Sequence, residues 1–336
     1  MILVTGGTGF LGAHLIVKLL KSEDKINVLI RPKSKFELLK RVFVFNRLSF
    51  EELSKKITWI EGDLLDIYTL ESALEEITKI YHAAAIVSFD SADHKHMMEV
   101  NVKGTANLVN AALEKNVKKI CHVSSIAALG RADSNIVIDE KTVWKTSGKN
   151  STYAISKYGA EREIWRAMEE GLKAVIVNPS IILGPGEINS GTAKLIKTII
   201  NGLKFYTEGI NGFVDVRDVA EIMVKLMESD ISGERFVVSA SNVPYRDIFS
   251  IIAKYLEKPA PKYKASKWMG EMAWRMEYLK GKLNRTKPLI TKETATTALN
   301  RYHYSNVKIK NLLDYSFIPV EDTLRDACNF YMGNSF

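Results

Sequence analysis

The stretch Val4-Thr5-Gly6-Gly7-Thr8-Gly9-Phe10-Leu11-Gly12 constrains this chain more than any other. Met1-Ile2-Leu3-Val4 has the length and apolar character of a buried strand. Ala13 to Leu20 reads as a helix with an apolar face. Between them, each spaced glycine answers a separate steric demand. Gly6 turns the chain sharply out of the strand. Gly9, with no Cβ, lets a pyrophosphate approach the backbone. Gly12 lets the helix lie close on the sheet. The helix N-terminus then offers unpaired N–H groups and partial positive charge to phosphates. A glycine triplet alone is common in loops. The strand before it and the helix after it are what point to a dinucleotide site.

Apolar strand-like runs recur along the chain: Lys25–Ile30, Ile57–Leu64, Ile77–Ala85, Lys118–Ser124 and Ala174–Val177. They alternate with helical patterns, which argues for an α/β protein with a doubly wound parallel sheet. In such sheets ligands bind beyond the strand C-termini. At the end of the second strand an acid bonds the 2′-hydroxyl of NAD, whereas an arginine accommodates the 2′-phosphate of NADP. No acid stands there, but Arg31, Lys33 and Lys35 do, which favours NADP(H) over NAD(H). Asp63 either meets an adenine amino group or caps the helix that follows. Ala83, Ala84 and Ala85 are small enough for a cofactor to lie against the strand end. His82 reads as a packing histidine, because no second His or Cys stands at metal spacing, and no metal is expected. A helix is expected from about Ala92 to Lys115, with Asn101 inside it.

Ser124 and Ser125 lie at the end of the fifth strand. Tyr153-Ala154-Ile155-Ser156-Lys157 follows at the start of a helix, where residues four apart share a face. An ammonium beside a phenol stabilises the phenolate, as a proton-transferring tyrosine needs near neutral pH. Beyond Asn178-Pro179 the alternation weakens. The expected division is a dinucleotide-binding domain over residues 1–180 and a smaller substrate lobe over 181–336. Residues 213–240 return to the first domain. Phe213 to Ala220 is expected to open a helix reaching Met227, and Arg235–Ser239 to add a strand to the main sheet.

Charge is uneven. The net +8 is accounted for by Pro261 to Lys310, where twelve lysines and arginines face only Glu271, Glu277 and Glu293. That segment could solubilise, or attract an anionic substrate, an acidic membrane or a nucleic acid. Between Ser266 and Leu283, Met269, Met272, Met276, Leu279 and Leu283 recur at helical spacing beside Trp268 and Trp274. Such a stripe is expected to be core or the wall of an apolar pocket, with membrane-surface contact the lesser reading. No apolar run reaches the ~18 residues of a membrane span. The chain opens on its first strand, so no signal peptide is expected. Cys121 and Cys328 carry no redox or metal spacing, and Cys121 reads as a buried thiol. The expected compartment is cytoplasmic.

Together these residues resemble the extended short-chain dehydrogenase/reductases, the NAD-dependent epimerase/dehydratase family. The resemblance is carried by Gly6-x-x-Gly9-x-x-Gly12, Asp63, Ala83 to Ala85, Asn101, Ser125, Tyr153-x-x-x-Lys157, and Asn178-Pro179 with Gly184-Pro185. It implies a Rossmann fold and a cofactor held along the glycine loop by Gly6, Thr8, Gly9, Phe10, Leu11 and Gly12. Arg31, Lys35, Asp63 and Leu64 would meet its adenosine half. Ala83 to Ala85, Val123, Pro179 and Ile182 would line its path towards Tyr153 and Lys157. It implies catalysis by Ser125, Tyr153 and Lys157, with Asn101 completing a proton path through water; Ser124 is the alternative serine.

Phe213 to Ala220 is similar to the corresponding stretch of dihydroflavonol and cinnamoyl-CoA reductases. Sugar-nucleotide epimerases place a phosphate-gripping arginine just before this stretch, and here Asn211 stands there. The Lys-Asn-Trp-Tyr-Cys pattern of cinnamoyl-CoA reductases is absent. The resemblance thus implies an NADP-dependent reductase of a small-molecule carbonyl compound, without nucleic acid and as a homodimer. Its rivals are a sugar-nucleotide epimerase or dehydratase with tightly bound NAD, and a non-catalytic NADP-binding regulator or nucleic-acid-binding protein.

Overall fold

Seven strands carry the architecture, because their side chains alternate between two apolar layers. A computed structural model of the protein describes residues 1–88, 90–130, 136–147, 150–186, 191–284, 295 and 297–333. The strands among the described residues are β1 (Ile2–Thr5), β2 (Ile26–Ile30), β3 (Ile57–Glu61), β4 (Lys79–His82), β5 (Lys119–Val123), β6 (Val137–Ile138), β7 (Lys173–Pro179), β8 (Ile181–Leu183), β9 (Phe205–Tyr206), β10 (Ile210–Asp215), β11 (Glu234–Val238), β12 (Ser241–Pro244), β13 (Tyr263–Lys264) and β14 (His303–Tyr304). The main sheet runs β11-β7-β5-β4-β1-β2-β3, every pair parallel. Val4, Val28, Tyr81, Cys121 and Val175 face one core, with the helices Phe10–Leu19 and Val216–Glu228. Leu3, Leu29, Ile80, Ile120 and Ile176 face the other, with the helices Gly104–Glu114 and Thr152–Glu169. Period-two alternation in strands apolar on both faces is what demands helices on both sides.

Strand order reverses between β1 and β4, which opens the crevice where such sheets hold ligands. A second, three-stranded sheet runs β12-β10-β8. It packs under a third apolar core that includes Ile196, Phe213, Ile252, Leu324 and Tyr331.

Several boundaries differ from expectation. Phe213 to Asp215 finish a strand of the small sheet, and the helix begins at Val216. Asp215 is its N-cap, accepting from Arg217 N. The segment expected as one helix from Ala92 to Lys115 is broken by a π-helical turn over Glu99–Lys103. The methionine stripe is core only in part: on the helix Lys267–Asn284, Trp268, Met272 and Met276 are exposed and Met269 is half-buried. The side chains of Leu279 and Leu283 lie outside the described residues. So do Arg285, Lys287 and Lys292 of the basic segment. Of its described cations, Lys264 and Arg301 pair with Glu208, Arg275 with Glu271 and Lys308 with Glu234. Among the described residues no helix is long and apolar enough to cross a membrane.

Candidate active site

The glycine loop is built so tightly that its glycines are steric requirements. A Cβ on Gly12 would stand 2.0 Å from Gly6 O, and one on Gly6 2.6 Å from Ala84 N. Gly6 also has φ +73°, which side-chain-bearing residues rarely adopt. The loop therefore touches the end of β4 across the crevice. Gly9 is the N-cap of the helix Phe10–Leu19 and is exposed, and no side chain caps that helix end. The first-turn N–H groups are left to an anion. Thr8 and Phe10 are half-buried beside Gly9, and Leu11 is buried. Phe10 also lies within 4 Å of where Cβ atoms on Gly184 and Gly186 would stand.

Arg31 and Lys35 stand exposed just beyond β2, and neither has an ion pair among the described residues. Asp63 does not cap the following helix. Its Oδ1 accepts from Leu65 N at 2.9 Å, and Asp66 caps that helix, accepting from Tyr68 N and Thr69 N. Leu64 packs against Gly104, and its backbone O accepts from Asn107 Nδ2. Ala83 and Ala84 are half-buried and Ala85 is exposed.

The tyrosine helix, Thr152–Glu169, starts at Ser151, whose Oγ accepts from Ala154 N. Tyr153 is half-buried in its first turn. Lys157 is 2 % exposed, and its Nζ donates to Val123 O at 2.7 Å. Among the described residues that is one bond for three ammonium protons, which leaves the others for a ligand in the crevice. Burial lowers the Lys157 pKa to about 8, against the opposing pull of Glu161. The two serines are told apart by their bonds. Ser124 Oγ donates its proton to Glu161 Oε2 at 2.6 Å. Among the described residues Ser125 Oγ only accepts, from Ala127 N at 3.1 Å, so its own proton remains to give. Pro179 ends β7, and Ile182 is half-buried in β8.

Asn101 is placed differently from the expected water relay. It is 2 % exposed. Its Oδ1 accepts from Ile86 N, and its Nδ2 donates to Ile86 O and to Ser156 Oγ, at 2.8, 2.9 and 3.0 Å. Both amide protons are spent. Ser156 Oγ in turn donates to Tyr153 O at 2.8 Å. Asn101 thus braces the loop after β4 against the turn that carries Tyr153. Behind it, His82 Nδ1 lies 2.7 Å from Thr5 Oγ1 and Nε2 lies 3.0 Å from Thr105 Oγ1. Thr105 gives its own proton to Asn101 O, so Nε2 is the donor on the His82 ring. Burial drives the His82 pKa down to about 3, the behaviour of a satisfied core histidine.

Glu161 and Arg235 escaped the sequence reading. Glu161 shares the helix face of Tyr153 and Lys157, which is the one signal that could have found it. A groove of about 510 Å³ is lined by Glu140, Trp144, Tyr158, Trp165 and Arg235, and neither Tyr153 nor Ser125 belongs to it. No cluster of three or more potential metal ligands occurs among the described residues.

The family model described as male sterility protein, a nucleotide-binding family, matches residues 4–231. The chain is an extended short-chain dehydrogenase/reductase. Cinnamoyl-CoA reductase 1 of Petunia hybrida is 27 % identical to it, over 97 % of this chain and 90 % of the relative. Sterol demethylase protein B of Methylococcus capsulatus is 30 % identical over 77 % of this chain and 76 % of that one. In the same fold, the dTDP-glucose 4,6-dehydratase DesIV of Streptomyces venezuelae, solved with NAD, superposes at TM-score 0.79. It is 21 % identical, over 99 % of this chain and 97 % of that one. An extended short-chain dehydrogenase/reductase holds its dinucleotide over the strand ends, and the uncapped helix after Gly9 and the underused Lys157 ammonium both fit such a group.

Proposed function

We propose that this enzyme reduces an aldehyde or ketone on a mainly apolar small molecule, using NADPH. The observation that carries the reading is the conjunction at the crevice. Tyr153 and Lys157 lie one turn apart, with Lys157 on the backbone of β5 and Ser125 at the end of that strand. Bound NADPH supplies the hydride. Ser125 donates to the carbonyl oxygen and stabilises the charge that develops there. Tyr153 gives its proton to the alkoxide. Lys157 favours the phenolate left behind and holds the nicotinamide ribose. Thr8, Phe10 and Leu11 cradle the pyrophosphate, while Arg31 and Lys35 take the 2′-phosphate. Leu64 and the Ala83 to Ala85 strand end flank the adenosine, and Val123, Pro179 and Ile182 flank the nicotinamide.

Asn211 argues against a sugar nucleotide. It is buried, its Oδ1 accepts from Gly212 N, and its Nδ2 donates to Tyr245 OH at 3.3 Å. A neutral amide with one of its protons given to Tyr245 lacks the charge and the forked donors with which an arginine grips a diphosphate. The test is an NADPH-absorbance assay over aromatic and aliphatic aldehydes and ketones, beside calorimetry with UDP-sugars. Turnover of at least one carbonyl compound is expected. Tyr153→Phe should lower that turnover by about two orders of magnitude while NADPH still binds. Tight UDP-sugar binding with no response to any carbonyl compound would reverse the reading in favour of an epimerase.

A further inference from the structure

Glu161 stands one turn beyond Lys157 and two beyond Tyr153, on the same helix face. Its side chain is 2 % exposed, yet four donors converge on it. Oε2 accepts from Ser124 Oγ at 2.6 Å and from Asn178 Nδ2 at 2.8 Å. Oε1 accepts from Arg235 Nη1 at 2.9 Å and from Trp165 Nε1 at 3.4 Å. Asn178 Nδ2 also donates to Ser125 O at 3.0 Å. Arg235 is itself held fast. Its Nε and Nη2 donate to Glu140 O at 3.0 and 2.7 Å, and Nη2 to Thr142 O at 3.0 Å.

Such a pair is a poor device for stability alone. Desolvating two charges offsets most of their attraction, and well-packed apolar residues usually serve a core as well or better. What distinguishes this pair is what surrounds it. Lys157 is also buried, and the groups facing it are few. Tyr153 and Glu161 lie on its own helix. His82 on β4 and His122 on β5 are both driven neutral by burial. Glu161, one helical turn from Lys157 and ion-paired to Arg235, supplies the charge whose pull opposes the burial of the ammonium.

We propose that Glu161 is a positioning residue: it is the countercharge of the Lys157 ammonium and, through Ser124 and Asn178, it anchors the backbone of Ser125. The proposal rests on the reading of Tyr153, Lys157 and Ser125 given above. Arg235, clamped to the loop carrying Glu140 and Thr142, keeps the carboxylate in register with both jobs.

The test is NADPH binding, followed by nucleotide fluorescence from about pH 6 to about pH 10, and it needs no substrate. The unaltered protein should bind with constant affinity at the acid end and lose affinity around pH 8, as Lys157 gives up its proton. In Glu161→Gln the loss should come about one pH unit lower, with affinity at the acid end within about twofold. Glu161→Asp, which keeps the charge, should restore the original midpoint. A purely structural role would lower affinity at every pH without moving the midpoint, and that result overturns the proposal. If Glu161→Gln does not fold, Glu161→Gln with Arg235→Gln removes both charges of the Glu161–Arg235 ion pair, and its midpoint should also fall. Failure of both to fold assigns the pair to the scaffold and likewise overturns the proposal. Lys157→Met separates the two readings. If it leaves the alkaline loss of affinity in place, Lys157 is not the group, and the proposed function is at fault. If it removes the loss but Glu161→Gln does not shift it, only the role of Glu161 falls.

Discussion

Arg31 projects beyond β2 with no carboxylate paired to it among the described residues, so its charge is free to meet a 2′-phosphate. Arg31→Asp removes that cation and adds a repelling carboxylate. NADPH affinity should fall by about tenfold or more while NADH affinity holds or rises, as read by fluorescence titration. Equal affinity of the unaltered protein for both nucleotides would count against the NADP assignment. The juxtaposition of Tyr153 and Lys157 was legible at this scale because helix spacing alone brings them together. Glu161 was not legible, since an acid on a helix reads as a solvated one until its neighbours are known. The resemblance favoured Ser125 over Ser124, and the bonds agree in leaving the Ser125 proton unspent among the described residues while Ser124 gives its own to Glu161. Asn101 was legible as a special position, but its partners were not. A polar side chain inside a helix pattern signals a specific bond, and only the structure shows that this one is to the Ile86 backbone.

At the scale of elements, the glycine loop and the π-turn make separate predictions. Gly12→Ala places a methyl 2.0 Å from Gly6 O, a backbone atom with no room to retreat. The helix Phe10–Leu19 must shift off the sheet, so NADPH affinity should drop at least about tenfold and the melting temperature with it. An alanine variant that binds NADPH normally would show the loop to be looser than its geometry. Asn101→Ala orphans the N–H and O of Ile86 and frees Ser156. Unfolding in urea should show a loss of about 1–3 kcal/mol, the cost of leaving buried backbone groups unpaired. Turnover should fall as well, because the turn bearing Tyr153 loses its brace. The strands were legible because each is a short apolar run between polar turns. The break at Glu99–Lys103 was not, since one inserted residue leaves hydrophobic periodicity nearly unchanged. The start of the Val216–Glu228 helix was misplaced because Phe213 and Val214 continue its apolar pattern while their backbone pairs with β8 and β12.

For the whole molecule, the parallel sheet followed from alternation. The lobe did not, because its core is assembled from segments far apart in the chain: Ile196, Phe213, Ile252 and Leu324. The exposed face of Trp268, Met272 and Met276 likewise shows that a regular apolar stripe does not by itself say which way a helix turns. What joins lobe to sheet can be tested at Asp218. It lies on the helix Val216–Glu228, packed under the main sheet, and is 2 % exposed. Its Oδ1 accepts from Tyr315 OH at 2.8 Å and its Oδ2 from Ile318 N at 3.0 Å. Those residues lead into the terminal helix Val320–Gly333, which fills the lobe core with Leu324 and Tyr331. Burial raises the Asp218 pKa to about 7, with smaller opposing pulls from its hydrogen bonds. In the unfolded chain the same carboxyl ionises near pH 4. Between those values the unfolded state holds fewer protons, so raising the pH favours unfolding. The stability Asp218 contributes is therefore whole below about pH 4 and is lost as the pH rises through about 7. Asp218→Asn stays neutral throughout but loses one acceptor. It should melt below the native protein at about pH 5, and the gap should narrow or close by about pH 8. A gap of constant size across that range would mean that Asp218 is already ionised in the fold, and that the joint between sheet and lobe is held by a charged, not a neutral, carboxyl.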